Sequence, residues 1–251
     1  MRYAGIDISA KELVVALGVG PRHEPVVKTF GNDEAGHKTL SKFLRKGRGK
    51  IRVCMEPTGL LGLDLALRLD EHPSIEIMLA NPRAVRNFAK ASMTRGKTDP
   101  LDARVLLDFA VRMGFQPWTR PSQSALELRA ITRRAIRLTQ ELTAEKNRRY
   151  AVRSTATTPE TVLEDLAAHI EFLEGRLEHL QEQAERIIKA QPDLQRKFEL
   201  LCSVKGIAET SAARLLAELL MLPADMDVRQ WVAHAGLDPR PCSSGTSLNR
   251  P

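Results

Sequence analysis

Aromatic residues make up only 4% of this 251-residue chain, which leaves few flat rings on which unpaired bases could stack. Cysteine is scarcer still. Cys54, Cys202 and Cys242 are far apart and odd in number, which argues against a disulfide framework and against the paired spacing of a zinc site. No run approaches the roughly 18 apolar residues that a membrane-spanning helix requires. Met1–Gly20 alternates apolar with charged residues where a secretory signal would place a basic start and then an apolar stretch. Gly5-Ile6-Asp7 could open an actin-like ATPase domain, but no second glycine-rich phosphate loop follows it. These absences lead us to expect a cytoplasmic protein with no membrane partner, whose contact with nucleic acid would be with a duplex backbone.

Charge is what the chain has in abundance, with a formal net of +7. Residues 80–155 hold 16 Lys/Arg against 6 Asp/Glu, whereas residues 156–200 hold 5 against 10. A concentrated basic block displaces counterions from phosphates, and the acidic stretch would repel the same polyanion. A solvated helix face is the other reading of such a run.

The first third alternates short β-rich runs with helical patterns. Tyr3–Ile8 and Leu13–Val19 flank a turn at Ser9–Glu12, with Val26–Phe30 as a third strand. Asn32 or Asp33 then caps an amphipathic helix that ends near Arg45. A strand Ile51–Met55, a helix Leu61–Leu69, a strand Ile75–Leu79 and a helix after Pro82 complete an α/β pattern. Three strands followed by β/α alternation is the order of an RNase H-like fold, one of several topologies the pattern allows. From Ser124 the character changes. Leu128, Ile131, Ala135, Leu138 and Leu142 form one face of a helix that also carries Arg129, Arg133, Arg134, Arg137, Arg148 and Arg149. After a break at Ser154–Pro159, Leu163, Leu166, Ile170, Leu173, Leu177, Leu180, Ala184 and Ile187 repeat at a and d spacing, a central coiled-coil seam. Its partner is either a second copy or a helix of the same chain. Beyond Gln191-Pro192, Ser203–Ile207 and Ser211–Leu220 read as a helix-hairpin-helix or a plain helix-turn-helix in a small α-helical C-terminal region. Three segments are therefore expected: an acidic domain over 1–120, the basic helix and coiled coil over 121–200, and a C-terminal region over 201–251.

Four acidic residues carry the candidate chemistry. Asp7 ends the first apolar strand, and Glu56 holds the equivalent place after Val53-Cys54-Met55. Carboxylates at the ends of neighbouring strands repel and call for a proton or a cation between them; Mg²⁺ suits an all-oxygen set. Asp99 and Asp102 share a helix face at a spacing of three. Asp99 before Pro100 also makes a helix cap with proline at N1, and Asp102 at N3 favours the dipole, so capping and ligation are both open. Arg95 and Lys97 beside them would suit a phosphate.

Gly5-Ile6-Asp7-Ile8-Ser9, Met55-Glu56-Pro57-Thr58-Gly59, Lys97-Thr98-Asp99-Pro100-Leu101-Asp102-Ala103, and Ala235-Gly236-Leu237-Asp238-Pro239-Arg240 with Ser243-Ser244-Gly245 stand in order around the coiled coil. In these stretches the chain resembles insertion-sequence transposases of the DEDD type, with a RuvC-like N-terminal domain and a C-terminal serine transposase domain. The resemblance implies metal-assisted recombination of double-stranded DNA by a homo-oligomer, a dimer or tetramer, guided by a structured RNA from the element. It implies that Asp7, Glu56, Asp99 and Asp102 bind Mg²⁺ and that Ser244, rather than Ser243, is the nucleophile. Arg95, Lys97, Arg133, Arg134, Arg137, Arg148 and Arg149 would hold nucleic-acid backbones. The resemblance also leads us to expect further helices beyond Pro251, so that a chain of this length would be a truncated form. The alternatives are a metal-dependent structure-specific nuclease that does not need Ser244, and an inactive nucleic-acid-binding remnant.

Overall fold

Strand alternation sorts the N-terminal third of the chain into two apolar faces. In the computed structural model, which describes residues 1–19, 24–57, 59–93, 98–238, 242–244 and 248–250 (the last two stretches by backbone alone), these residues form a five-stranded sheet. The chain divides into two compact units, Met1–Arg120 and Pro121–Pro251.

The N-terminal unit is built from β1 (Arg2–Ile8), β2 (Glu12–Gly18), β3 (Val26–Gly31), α1 (Glu34–Arg45), β4 (Ile51–Met55), α2 (Gly59–Asp70), β5 (Ile75–Leu79), α3 (Pro82–Ala91) and α4 (Asp99–Arg112). The strands lie in the order β3-β2-β1-β4-β5, with β1, β2 and β3 antiparallel and β4 and β5 parallel to β1. That mixed α/β arrangement is compatible with an RNase H-like domain. Ala4, Ile6, Leu13, Val15, Val53 and Met55 pack one face of the sheet onto Leu40 and Leu44 of α1 and Leu65 and Leu69 of α2. On the other face Val14 and Ala16 meet Ala103 and Leu107 of α4, while Cys54 and Met78 meet Val105, Leu106 and Phe109. Gly5 lets α4 come down on β1. A Cβ there would fall on the Ala103 carbonyl oxygen and the Leu107 amide nitrogen, and within 2.9 Å of the Leu106 carbonyl carbon.

The C-terminal unit opens with two long helices, α5 (Gln123–Arg153) and α6 (Glu160–Lys189). Leu138 and Leu142 of α5 pack with Ile170 and Leu173 of α6, and Leu128 packs with Ala184 and Ile188, so the two run antiparallel as an intrachain hairpin. The expected seam residues of α6 are all buried or half-buried, but at its end Ile188 rather than Ile187 is the deeper residue. α7 (Pro192–Cys202) and α8 (Glu209–Leu219) follow, joined by a turn in which Gly206 has φ +97°. Leu216 and Ala217 of α8 complete the cluster around Leu128. α9 (Val228–His234) is closed by a capping box between Asp227 and Gln230. The C-terminal region is not wholly helical as expected: β6 (Cys242–Ser244) and β7 (Leu248–Arg250) pair antiparallel. Among the described residues no helix is long and apolar enough to cross a membrane.

The hairpin is expected to depend on Ile170, which is 4% exposed. Ile170→Ala should cost about 3 kcal/mol, within the range for truncating a buried isoleucine, because Leu166 and Leu173 on either side of it are buried as well. Denaturant unfolding followed by helix signal checks this, and an unchanged midpoint would mean that α5 and α6 do not support each other in solution.

Candidate functional site

The register places Asp7 and Glu56 side by side. β1 and β4 are parallel with Ile6 opposite Met55, so Asp7 and the residue that follows β4, Glu56, are next neighbours at the carboxyl ends of the two strands. Alternation puts Asp7 on the same face as Gly5, the one covered by α4, and puts Glu56 on the same face as Cys54. The Glu56 charge is felt by that thiol. Burial, and then Glu56, push the Cys54 pKa up to about 12. Neither Asp7 nor Glu56 is without an interaction partner.

Helix α4 brings the second acidic pair to the same end of the sheet. A Cβ at Gly5 would meet both Ala103 and Leu107, whereas one at Gly18, which pairs with Tyr3 near the start of β1, would meet only Leu107 of this helix, so α4 runs from the carboxyl end of β1 towards its start. Its N terminus, with Asp99 exposed and Asp102 half-buried, therefore stands at the Asp7–Glu56 end. The cap differs from expectation. Thr98 is the N-cap, extended at φ −147° and ψ 148°, and its carbonyl accepts from the amides of Leu101 at 2.8 Å and Asp102 at 2.9 Å. Helical geometry thus begins one residue earlier than a cap at Asp99 requires, which makes Asp99 the first helical residue and Asp102 the fourth. Among the described residues no three Asp, Glu, His or Cys side chains are drawn together closely enough to hold an ion. The four acids share an end and a face of the sheet, with no closed cage. Arg95 and Lys97 lie outside the described residues.

Several of the arginines expected to meet nucleic acid have partners within the C-terminal unit. Arg133 donates to Glu218 through Nε at 2.6 Å and Nη2 at 3.0 Å, and Arg129 Nε reaches the same carboxylate at 3.2 Å. The Arg133 hydrogen bond leads in holding the Glu218 carboxyl below its ordinary range, against burial. Arg134 lies 3.6 Å from Glu141, Arg148 pairs with Glu145, and Arg137 donates to the Gln140 amide oxygen. Arg149, by contrast, has no carboxylate partner among the described residues. The basic stripe of α5 is therefore partly a set of clamps onto α8 and onto α5 itself. Sequence spacing cannot reveal the Glu218 clamp, because its partners are 85 and 89 residues apart.

Ser243 and Ser244 lie in β6, opposite Asn249 and Leu248. Gly245 falls outside the described residues.

Cys54 offers a simple probe of whether the Glu56 side of the sheet is closed. It is fully buried while Cys202 is half-buried. In a Cys242→Ser background at about pH 8, near the ordinary thiol pKa, a disulfide reagent should titrate one thiol before denaturation and a second after it. Two fast thiols in the folded chain would mean that α4 does not cover Cys54.

Comparison with known proteins agrees at both ends of the chain. Residues 4–152 match the DEDD_Tnp_IS110 transposase family, and residues 198–251 match the transposase IS116/IS110/IS902 family. The pilin gene-inverting proteins of Moraxella bovis and Moraxella lacunata are each 24% identical to it over 226 residues, covering 88% of this chain and 68% of theirs.

Proposed function

The chain belongs to the IS110-type transposase family, and on that premise we propose that it is a DNA recombinase in which an acidic edge and a serine act on the same phosphodiesters. The observation that carries this reading is the common placement of Asp7, Glu56 and the first turn of α4 at one end and on one face of the sheet. All four acids offer hard oxygen donors, which suit Mg²⁺. Cys54, packed in an apolar cluster, adds no sulfur ligand. Asp7 and Glu56 would hold the ion from the strand ends and Asp102 from the helix, with Asp99 at the rim. Once bound, it supplies charge neutralisation at a phosphate and lowers the pKa of an attacking hydroxyl. The positive end of the α4 dipole lies at the same edge and favours an anionic phosphate there.

Ser244 is the nucleophile in this reading. Its Oγ bonds to the scissile phosphorus as the bond from phosphorus to a deoxyribose oxygen breaks, and the released oxygen takes up the proton that the serine gives away. A structured RNA made by the element selects the DNA, and two or four copies of the chain assemble around it. Arg137 and Arg149, together with Arg95 and Lys97, contact phosphates. The Moraxella relatives are named for inverting a pilin gene, a strand-exchange outcome of the same class.

The test incubates the chain with Mg²⁺, DNA carrying the element's ends and RNA transcribed from the element, then maps covalent protein–DNA adducts by mass spectrometry. An adduct on Ser244 that Ser244→Ala abolishes is the expected result. Free 3′-hydroxyl cleavage products that persist in Ser244→Ala would instead make the chain a metal-dependent nuclease.

A further inference from the structure

We propose that the end of the N-terminal unit farthest from the acidic edge is a second nucleic-acid-binding surface, which grips the phosphate backbone of a duplex segment other than the one presented to Asp7 and Glu56. The inference rests on the recombinase reading above.

Between Lys42 and Lys50 the chain places Lys42, Arg45, Lys46, Arg48 and Lys50 with no acidic residue among them. Lys50 is taken up by Glu76 at 2.8 Å. Lys42, Arg45, Lys46 and Arg48 are all exposed, and among the described residues none of these four pairs with a carboxylate. Arg45 uses only its Nε, on the Ser41 carbonyl oxygen at 3.3 Å, which leaves the rest of its guanidinium open.

A run of solvated charge needs no fixed shape, yet this one has a built frame. Arg2, at the start of β1, donates to the carbonyl oxygens of Leu44 at 2.8 Å, Gly47 at 3.2 Å and Gly49 at 3.4 Å. A Cβ at Gly47 would come within 2.6 Å of that guanidinium, and Gly49 sits at φ +77°. The loop backbone is thus moulded around Arg2, so binding has only the lysine and arginine side chains left to order. Beside it, a groove of about 230 Å³ opens between α1 and the end of α2, walled by Lys38, Lys42, Arg45 and Arg68, with Glu71 also lining it. Its other acid, Glu34, is already shared by Lys38 at 2.9 Å and Arg68 at 3.8 Å.

The position separates this surface from the acidic edge. Asn32, just before α1, is held at the carboxyl end of β1 by the Ser9 and Lys11 carbonyls at 2.7 and 2.8 Å. The other end of α1 is held at the start of β1 through Arg2 and Leu44. The seven residues of β1 span roughly 23 Å at about 3.3 Å each, and α1 and α4 cover opposite faces. A phosphate on the basic loop is therefore not one that Asp7 and Glu56 can reach. One end of the unit repels bare phosphate unless a cation is present, and the other attracts it.

The experiment compares the full chain with a Lys42→Gln, Arg45→Gln, Lys46→Gln, Arg48→Gln variant, using a 20-base-pair DNA duplex and an RNA duplex of matching sequence as separate probes. Binding is followed by anisotropy across a salt series. For duplex DNA, removing one cation–phosphate pairing should flatten the slope of log K against log salt by about 0.9, so a flattening of about 3.6 is expected if all four cations contact phosphate. Flattening with only one of the two probes identifies that polymer as the bound segment; flattening with both shows that the surface reads the shared backbone. An unchanged slope with both probes, in a variant whose circular dichroism matches the parent, overturns the proposal. Asp7→Asn separates this outcome from failure of the recombinase reading: it should leave the slopes intact, and that reading falls on its own if Asp7→Asn still forms the Ser244 adduct.

Discussion

Gly5→Ala is expected to destabilise the N-terminal unit by about 3 kcal/mol or more, the upper end of what overpacking a tight core costs. The atoms in the way are backbone, the Ala103 carbonyl and the Leu107 amide, and backbone in the middle of a helix cannot rotate aside as a side chain can. α4 would have to lift from β1 along its whole length of packing. Gly18 supplies the internal control, because a Cβ there meets the Leu107 Cδ2 at 3.3 Å and the Pro25 Cβ at 3.8 Å, side-chain atoms with room to shift. Denaturant melts of the two variants should therefore differ sharply, with Gly18→Ala close to the parent. Lifting α4 also withdraws Asp99 and Asp102 from Asp7 and Glu56, so whatever Gly5→Ala protein stays folded should lose activity out of proportion to its stability. Equal midpoints for the two variants would show that α4 does not press on β1.

Gly5 illustrates what can and cannot be read from sequence. Apolar alternation in Tyr3–Ile8 and Ile51–Met55 is enough to expect strands with Asp7 and Glu56 at their ends, because side-chain direction has a period of two. The parallel pairing that sets those two residues next to each other depends on strand order, which no local pattern encodes. The α6 seam is legible for the same reason as the strands, but its partner is not, since the apolar face of α5 would equally suit a second copy. The start of α4 is displaced by one residue because Asp99, Pro100 and Thr98 each satisfy a preference for a helix start, and only the backbone angles choose among them. The basic loop at Lys42–Lys50 is too short to stand out in charge totalled over longer stretches. Its significance comes from Arg2, more than forty residues away in sequence.

The acidic edge makes the most demanding prediction. Neighbouring strands lie about 4.8 Å apart, and two carboxylates roughly 5 Å apart repel by roughly 3 kcal/mol at an effective dielectric near 20. A divalent cation relieves that repulsion in the folded state and finds no matching site in the unfolded one, so Mg²⁺ should stabilise the parent chain. At a concentration one hundred times the dissociation constant the gain is about 2.7 kcal/mol. Asp7→Asn and Glu56→Gln each remove a charged ligand while keeping size and shape. Each should abolish most of the Mg²⁺-dependent rise in midpoint and lower the strand-transfer rate on the order of a thousandfold, the effect of about 4 kcal/mol lost from phosphate stabilisation. A purely structural role for these carboxylates would behave otherwise: the variants would melt lower with or without Mg²⁺ and keep the parent's response to the ion. The decisive measurement is the Mg²⁺-induced shift in thermal midpoint, taken on the same preparations as the rate. A shift that survives both substitutions would place the ion elsewhere and remove Asp7 and Glu56 from the chemistry.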